Sequence, residues 1–272
     1  LSPGPDAAVR PHDPAWLEVI DLGRIDYGTA RERQERQVAE RKAERSPDTL
    51  LVCEHDPVLT TGRGTAEGWL RDDRFPVVDV ERGGEATYHG PGQVVVYPIV
   101  ALSDGARDLH RWLRALEQGA MDACALFGLN AARREGATGV WIDGERKLVS
   151  IGVAARHWIT WHGLAFNHET DLSHFEAIQP CGFDAGVMTS LKRELGDRCP
   201  SREDVVGALI DGLQRSLAPF TRAWAVAHPG AAAPGAGSVA ATPPGPASSG
   251  AGPSGATRPG HPGADLSGER NS

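Results

Sequence analysis

Four cysteines, Cys53, Cys124, Cys181 and Cys199, are the chain's candidate sulfur nucleophiles. Cys124 falls within a helically spaced apolar stretch and Cys53 ends an apolar run, so both read as core. Cys199 precedes Pro200 in a polar loop and receives no role. Cys181 differs: it stands in Pro180-Cys181-Gly182, just after a helical turn predicted at residues 173–178, and Gly182 leaves room for a carbonyl to approach the sulfur. A cysteine attacks as its thiolate, and the free thiol ionises only near pH ~8.5. A neighbouring base or cation must lower that value. His89, His157, His162, His168 and His174 offer a Cys-His pair, and Lys147 offers a Cys-Lys pair; spacing alone leaves both open.

A second chemical segment is Arg82-Gly83-Gly84-Glu85-Ala86-Thr87-Tyr88-His89-Gly90-Pro91-Gly92-Gln93. Its glycines let the backbone adopt positive φ and approach a ligand closely, while Arg82 and His89 add a fixed cation and a titratable donor. This reads as a ligand-binding loop more than as a plain glycine-rich connection. The dinucleotide fingerprint Gly-x-Gly-x-x-Gly is absent from it, and Gly62-Arg63-Gly64 is a shorter, less informative relative. His162 and His168 are metal-ligating types, but no compact ligand cluster and no Cys-x-x-Cys pair supports a metal site.

These residues must be held by a fold. Apolar runs at residues 49–53, 77–80 and 94–100 predict buried strands, and Pro98 in the last predicts an edge or an irregularity. Residues 16–22 form a further short strand, and residues 29–44, charged and free of breakers, an exposed helix. Leu109, Trp112, Leu113, Leu116, Ala120, Ala123 and Phe127 are spaced for a helix over residues 108–127, stopped by Gly128. Residues 139–142 and 147–154 flank Asp143-Gly144 and predict a hairpin, with a third strand over residues 157–166. Ser201, with Asp204 three residues on, caps a last helix. Strands and helices do not alternate as regular βαβ units. The expected class is α+β, a mixed or antiparallel sheet with flanking helices.

Hairpin parity bears on the chemistry. Ser150, Gly152 and Ala154 share one strand face and all are small, which leaves space for a ligand chain. Lys147 has the opposite parity, so a bulge or twist near the turn must redirect it if it is to join them.

The 272 residues are 40% hydrophobic, enough for a substantial core, and contain no apolar run long enough to span a membrane. The first ten residues lack a secretory signal's basic start and apolar stretch, and four cysteines do not make a disulfide framework. A reducing cytoplasm is expected. The net charge of −8 argues against nucleic acid as the main partner. Positive charge is almost all arginine; Lys42, Lys147 and Lys192 are the only lysines. From residue 225 to 272 the chain is rich in Gly, Pro, Ala and Ser and is expected to be a disordered tail. Residues 1–13 are expected to be flexible, leaving residues 14–224 as the folded unit.

Taken together, four blocks resemble the lipoyl(octanoyl) transferase family: Arg82-Gly83-Gly84 with Thr87 to Gln93; Arg146-Lys147-Leu148-Val149-Ser150-Ile151-Gly152; His162-Gly163-Leu164-Ala165 with Asn167; and Ile178-Gln179-Pro180-Cys181-Gly182. The resemblance implies a fold like the catalytic domain of biotin and lipoate protein ligases. It implies that octanoyl-acyl carrier protein donates its acyl group to a cysteine, which passes it to a lysine of a lipoyl carrier domain. Acceptors would be the lipoyl domains of 2-oxoacid dehydrogenases and the glycine cleavage H protein. On matching positions, Cys181 is the implied nucleophile and Lys147 the residue that tunes it. Arg82, Gly83, Gly84, Glu85, Ala86, Thr87, Tyr88 and His89 would bind substrate, as would Ser150, Ile151 and Gly152, and Gly163, Leu164 and Ala165. A thioester donor is already activated, so neither ATP nor another cofactor is implied. Arg111, Arg114, Arg133 and Arg134 are candidates for docking an acidic carrier, against a default of solvated surface. The alternatives are an ATP-dependent lipoate or biotin ligase of the same fold, a non-catalytic acyl- or carrier-binding module and, third, a thioester hydrolase.

Overall fold

The computed structural model describes residues 16–179 and 185–227. Pro180, Cys181 and Gly182 lie outside the described residues, as do the expected flexible N-terminus and all but the first three residues of the expected tail.

The chain opens with β1 (Glu18–Ile25) and α1 (Tyr27–Lys42), the latter capped by the Asp26 carboxylate, which accepts from the Thr29 N–H. Then come β2 (Thr49–His55), β3 (Val58–Thr61), β4 (Val77–Asp79), β5 (Thr87–His89) and β6 (Gln93–Ile99). Helix α2 (Leu109–Leu126) follows the predicted periodicity. Asp108 caps its start, and Gly128 at φ +74° lies just past its end. Four strands follow: β7 (Ala131–Arg134), β8 (Ala137–Ile142), β9 (Arg146–Arg156) and β10 (Ile159–Asn167). The described chain ends with α3 (Leu191–Leu195), α4 (Arg202–Leu217) and α5 (Arg222–Ala227). Ser201 and Asp204 form the predicted capping box of α4.

Seven strands make one mixed sheet in the order β1-β2-β6-β10-β9-β8-β7, parallel at β1–β2 and antiparallel elsewhere. A second sheet, β4-β3-β5, was not foreseen; its strands are only three or four residues long. Helices α2 and α4 cover one face of the large sheet, over Leu50, Val52, Val94, Val96, Leu164 and Phe166. Helix α1 covers part of the other, where Leu51, Cys53, Val95, Tyr97 and Ala165 point. Burial on both faces explains why β2 and β6 read as continuous apolar runs rather than alternating ones. The α2–α4 crossing is close because glycines meet there: a Cβ on Gly212 would come within 2.2 Å of the Gly119 carbonyl oxygen.

Two expectations need correction and a third is narrowed. The run at residues 77–80 is not a buried strand: Val77 is exposed on β4. Pro98 does not mark an edge, since β6 lies in mid-sheet between β2 and β10. It does mark an irregularity. Pairing of β6 with β10 stops at Val96, and beyond it the Thr160 hydroxyl donates to the Pro98 carbonyl (2.8 Å) and accepts from the Val100 N–H (3.1 Å). The missing proline N–H therefore breaks no ladder bond. Last, His157 and Trp158 are not strand residues. Both have positive φ (52° and 61°) and form the two-residue turn joining β9 to β10, as a primed hairpin turn requires.

Candidate active site

A cavity of about 240 Å³ opens on the face of the large sheet opposite α2 and α4. Its floor comes from β9 and β10: Ser150, Ile151 and Gly152, and Gly163, Leu164 and Ala165, all line it as expected. The two sets face one another across the ladder, Gly152 beside Gly163 and Ser150 beside Ala165. Small side chains at these positions hold the space open. A Cβ on Gly152 would come within 2.8 Å of the Gly83 carbonyl oxygen, and one on Gly163 within 2.1 Å of the Val96 carbonyl oxygen.

Lys147 also lines the cavity, and a bulge takes it there. Trp141 pairs with Lys147, but the next residue back, Val140, pairs with Val149. One extra residue, Leu148, is thus inserted into β9, which reverses the parity and brings Lys147 onto the face of Ser150 and Gly152. The lysine is buried, with Nζ 5.3 Å from the Trp141 ring centroid, a favourable cation–π position. Gly139, at φ +129°, makes room: a Cβ there would come within 2.8 Å of the lysine Cε.

Arg82, Gly84, Glu85, Ala86, Thr87 and His89 form another wall. Arg82 chiefly organises this loop. Its Nη1 donates to the Gly83 and Glu85 carbonyls (3.1 and 2.7 Å), and its Nη2 to the Thr60 carbonyl and hydroxyl (3.0 and 2.9 Å). The Gly83 N–H donates to the Val153 carbonyl (2.9 Å), docking the loop on β9. The Gly62-Arg63-Gly64 segment supports it from behind, with the Gly64 N–H donating to the Gly84 carbonyl (2.9 Å). Two expected binding residues do not line the cavity. Gly83 serves this docking, and Tyr88 packs with Leu59, Phe175 and Ile178, its hydroxyl bonded to His174 Nδ1 (2.8 Å).

The structure also sorts the five candidate histidines. His157 pairs with Lys42, His168 donates to the Pro200 carbonyl and His174 bonds Tyr88; only His89 and His162 of the five line the cavity. Burial pushes each of these two down to about 3, with positive neighbours adding to it: His55 and Arg82 for His89, Arg82 for His162. Burial likewise pushes Tyr27 up to about 12 and raises Tyr97 well above its ordinary value. At neutral pH these histidines and tyrosines are polar but uncharged, with the Arg82 guanidinium beside them. His162 has φ +56°, its ring stacks on Trp161 at 4.2 Å, and neither buried ring nitrogen has a hydrogen-bond partner.

Tyr27, Tyr97, Val187 and Met188 were not named from sequence as cavity residues, whereas His162 was weighed as a partner for the thiol and opens a recognised block. Tyr97 shares its strand face with Val95, so parity carried a weak signal for it. Tyr27, on the first turn of α1, gave none. Of the candidate docking arginines, Arg114 and Arg133 both pair with the fully buried Glu117 (2.7 and 2.9 Å), and Arg134 lies over the Trp141 ring. Among the described residues, His168, Glu169 and Cys199 bring metal-type donor atoms within 4.8 Å of one another, but none lines the cavity. Cys53 and Cys124 are fully buried, as expected, and burial raises both thiols far above the ordinary range.

The family model of the lipoyl protein ligase A/B catalytic domain matches residues 26–214, which takes in every wall of this cavity. The chain belongs to that family. An octanoyltransferase from Geobacter sulfurreducens is 47% identical over 180 residues, covering 66% of this chain and 76% of that protein. One from Geotalea uraniireducens is 44% identical over 206 residues, 75% and 96% of the two chains. One from Mycobacterium tuberculosis is 43% identical over 182 residues, 66% and 78%. Among solved structures, a lipoate-protein ligase A bound with ATP superposes with a TM-score of 0.59 at 19% identity, over 76% of this chain and 86% of that one. A putative lipoate protein ligase from T. acidophilum gives 0.58 at 19% identity, over 74% and 85%. At that identity the ligases show the shared lipoyl protein ligase fold alone.

Proposed function

We propose that this lipoyl protein ligase A/B family member is an octanoyltransferase that works through a covalent thioester on Cys181. The observation that carries the proposal is the bulge at Leu148, which turns Lys147 into a cavity floored by small residues, within a chain 43–47% identical to octanoyltransferases. The cavity suits an uncharged chain: Val95, Ala165, Val187 and Met188 offer apolar surface.

The Cys181 thiolate attacks the carbonyl carbon of an octanoyl thioester on a carrier protein. A tetrahedral oxyanion forms and collapses, the new C–S bond remains, and the carrier thiolate leaves with a proton taken from the Lys147 ammonium. A neutral lysine amine of a lipoyl domain then attacks the acyl-enzyme. The bond to Cys181 breaks, an amide forms, and the proton lost by the amine returns to the Cys181–Lys147 pair. The Lys147 ammonium stabilises the thiolate before each acylation. The chemistry runs from a thioester to an amide, so the reading calls for no ATP. A free thiol nucleophile suits a reducing cytoplasm, and no helix among the described residues is long and apolar enough to cross a membrane. Residues 225–272 are proposed to play no part in the chemistry.

Intact mass after incubation with octanoyl-acyl carrier protein, without ATP, tests the proposal. One octanoyl adduct is expected, mapping to Cys181 and lost in Cys181→Ser. An adduct on Cys53, Cys124 or Cys199, or transfer only with ATP, would overturn it; the second outcome would favour the ligase reading.

A further inference from the structure

A chain of buried hydrogen bonds runs from the cavity wall to the main chain of Lys147, and its polarity is fixed by its ends. Gln93 Nε2 faces the Tyr88 carbonyl (3.2 Å) and Asn167 Oδ1 (2.9 Å). Asn167 Nδ2 faces the Thr189 carbonyl (3.0 Å). Carbonyl oxygens only accept, so both amides have a single satisfying orientation. Gln93 Oε1 is therefore the acceptor that meets His89 Nδ1 at 2.8 Å. That nitrogen must carry the proton, which leaves His89 Nε2 as a bare acceptor.

The other end of the chain is Thr189, which is held at all three of its polar atoms. Its carbonyl accepts from Asn167, its N–H donates to the Lys147 carbonyl (3.0 Å), and its hydroxyl donates to Glu194 (2.6 Å). Glu194 in turn takes two bonds from Arg146, the neighbour of Lys147 (2.8 and 3.1 Å). Met188, which lines the cavity, bridges to Lys147 in parallel register. Gln93, Asn167 and Thr189 are at most 1% exposed. A fully satisfied buried network of this kind fixes one geometry, whereas a partly satisfied one costs stability.

We infer that Gln93, Asn167 and Thr189 are positioning residues for acyl transfer, clamping the strand that carries Lys147 to the chain segment that follows Cys181. The inference rests on the octanoyl-transfer reading. The network joins the wall bearing Lys147 to the wall formed by Val187 and Met188, and sets the His89 tautomer as it does so. It touches no reacting atom. Its effect runs through where Lys147 stands relative to the thiol, and a displacement of about 1 Å can cost on the order of 100-fold in rate.

The test uses full-length protein in a Cys199→Ser background, so that the accessible thiol read by iodoacetamide is that of Cys181. Asn167→Asp keeps the shape but sets an oxygen against the Thr189 carbonyl. Thr189→Val removes the hydroxyl, and Thr189→Ser retains it. For Asn167→Asp and Thr189→Val, the single-turnover acylation rate should fall on the order of 10- to 100-fold, with donor KM changed less than about twofold and the pH midpoint of alkylation displaced. Thr189→Ser should recover most of the rate. A folded Asn167→Asp with a wild-type rate and midpoint overturns the inference. So does a loss of melting temperature with an unmoved midpoint, which marks a merely structural network. Should Asn167→Asp not fold, the Thr189→Val and Thr189→Ser pair decides: equal rates and midpoints overturn it. A wild-type protein that forms no octanoyl adduct sinks the transfer reading instead, and the alkylation midpoints still report on positioning.

Discussion

The two faces of the large sheet are built from alternate residues of the same strands, yet they are filled in opposite ways. Toward α2 and α4 the strands send Leu50, Val52, Val94, Val96 and Phe166 into a layer closed by Trp112, Leu116, Leu209 and Leu213. Toward the cavity lie buried Lys147, Arg82, His89, His162, Gln93 and Asn167. The first face gains stability from apolar area removed from water. The second buries polar groups at a cost unless each is paired, and His162 is not paired. One face holds the molecule together, and that surplus lets the other keep groups that chemistry needs. The contrast predicts that equal insults to the two faces will have unequal consequences.

The largest effect should come from exchanging one large side chain on each face. Trp112 is fully buried, its ring edge-on to Phe220 at 5.4 Å. Trp112→Ala should lower unfolding free energy by about 3–5 kcal/mol while leaving the rate per folded molecule near wild type. Lys147→Met keeps the buried stem and removes the ammonium. It should cost less than about 1.5 kcal/mol, as volume-conserving swaps do, yet reduce acylation at neutral pH by on the order of 100-fold or more. Urea unfolding and single-turnover acylation on the same two proteins check this. The division of labour fails if Trp112→Ala loses its rate while remaining folded, or if Lys147→Met unfolds.

Acid should expose the next difference. His89 and His162 are held down to about 3 when folded, against an ordinary value of 6.5, mainly by burial. Between those values the unfolded chain binds more protons than the folded one, so stability falls as pH drops from about 6.5 toward 3. Each histidine contributes up to about 1.4 kcal/mol per pH unit in that window, and nothing further above it. Removing one of them in His162→Gln should make the acid limb of the stability profile shallower. Parallel wild-type and variant profiles between pH 6.5 and 4 would mean that His162 finds a partner in solution.

Much of the apolar face was legible in the sequence, because periodicity records it directly: α2, α4 and the β8–β9 hairpin all fall where their spacing and caps indicate. The cavity face was legible in its blocks but not in its joinery. The parity of Lys147 against Ser150 and Gly152 called for a bulge, and one is present at Leu148. No local pattern relates Gln93 to Asn167, which are 74 positions apart. The small sheet was missed since strands of three residues carry no measurable period, and Pro98 left edge and irregularity open because only its neighbour across the sheet, Thr160, whose hydroxyl fills the gap, decides between them. His162 at positive φ is a backbone choice that its residue type does not announce.

The smallest effect tests whether the faces communicate at all. Ser201 caps α4 on the apolar side: its hydroxyl accepts from the Asp204 N–H (3.2 Å), and the Asp204 carboxylate accepts from the Ser201 hydroxyl (2.7 Å) and N–H (3.3 Å). Ser201→Ala leaves one helix-terminal N–H without its side-chain partner and should cost about 1 kcal/mol, since caps of this type contribute roughly 0.5–2. Helix α4 packs on α2 and β6, and none of its residues lines the cavity. The octanoyl-transfer rate and the pH midpoint of thiol alkylation should therefore match wild type at temperatures where both proteins are folded. A shifted midpoint with so small a loss of stability would mean that strain at the helix end reaches Lys147 through the sheet. The apolar layer would then be part of the device that sets the thiol rather than a passive support.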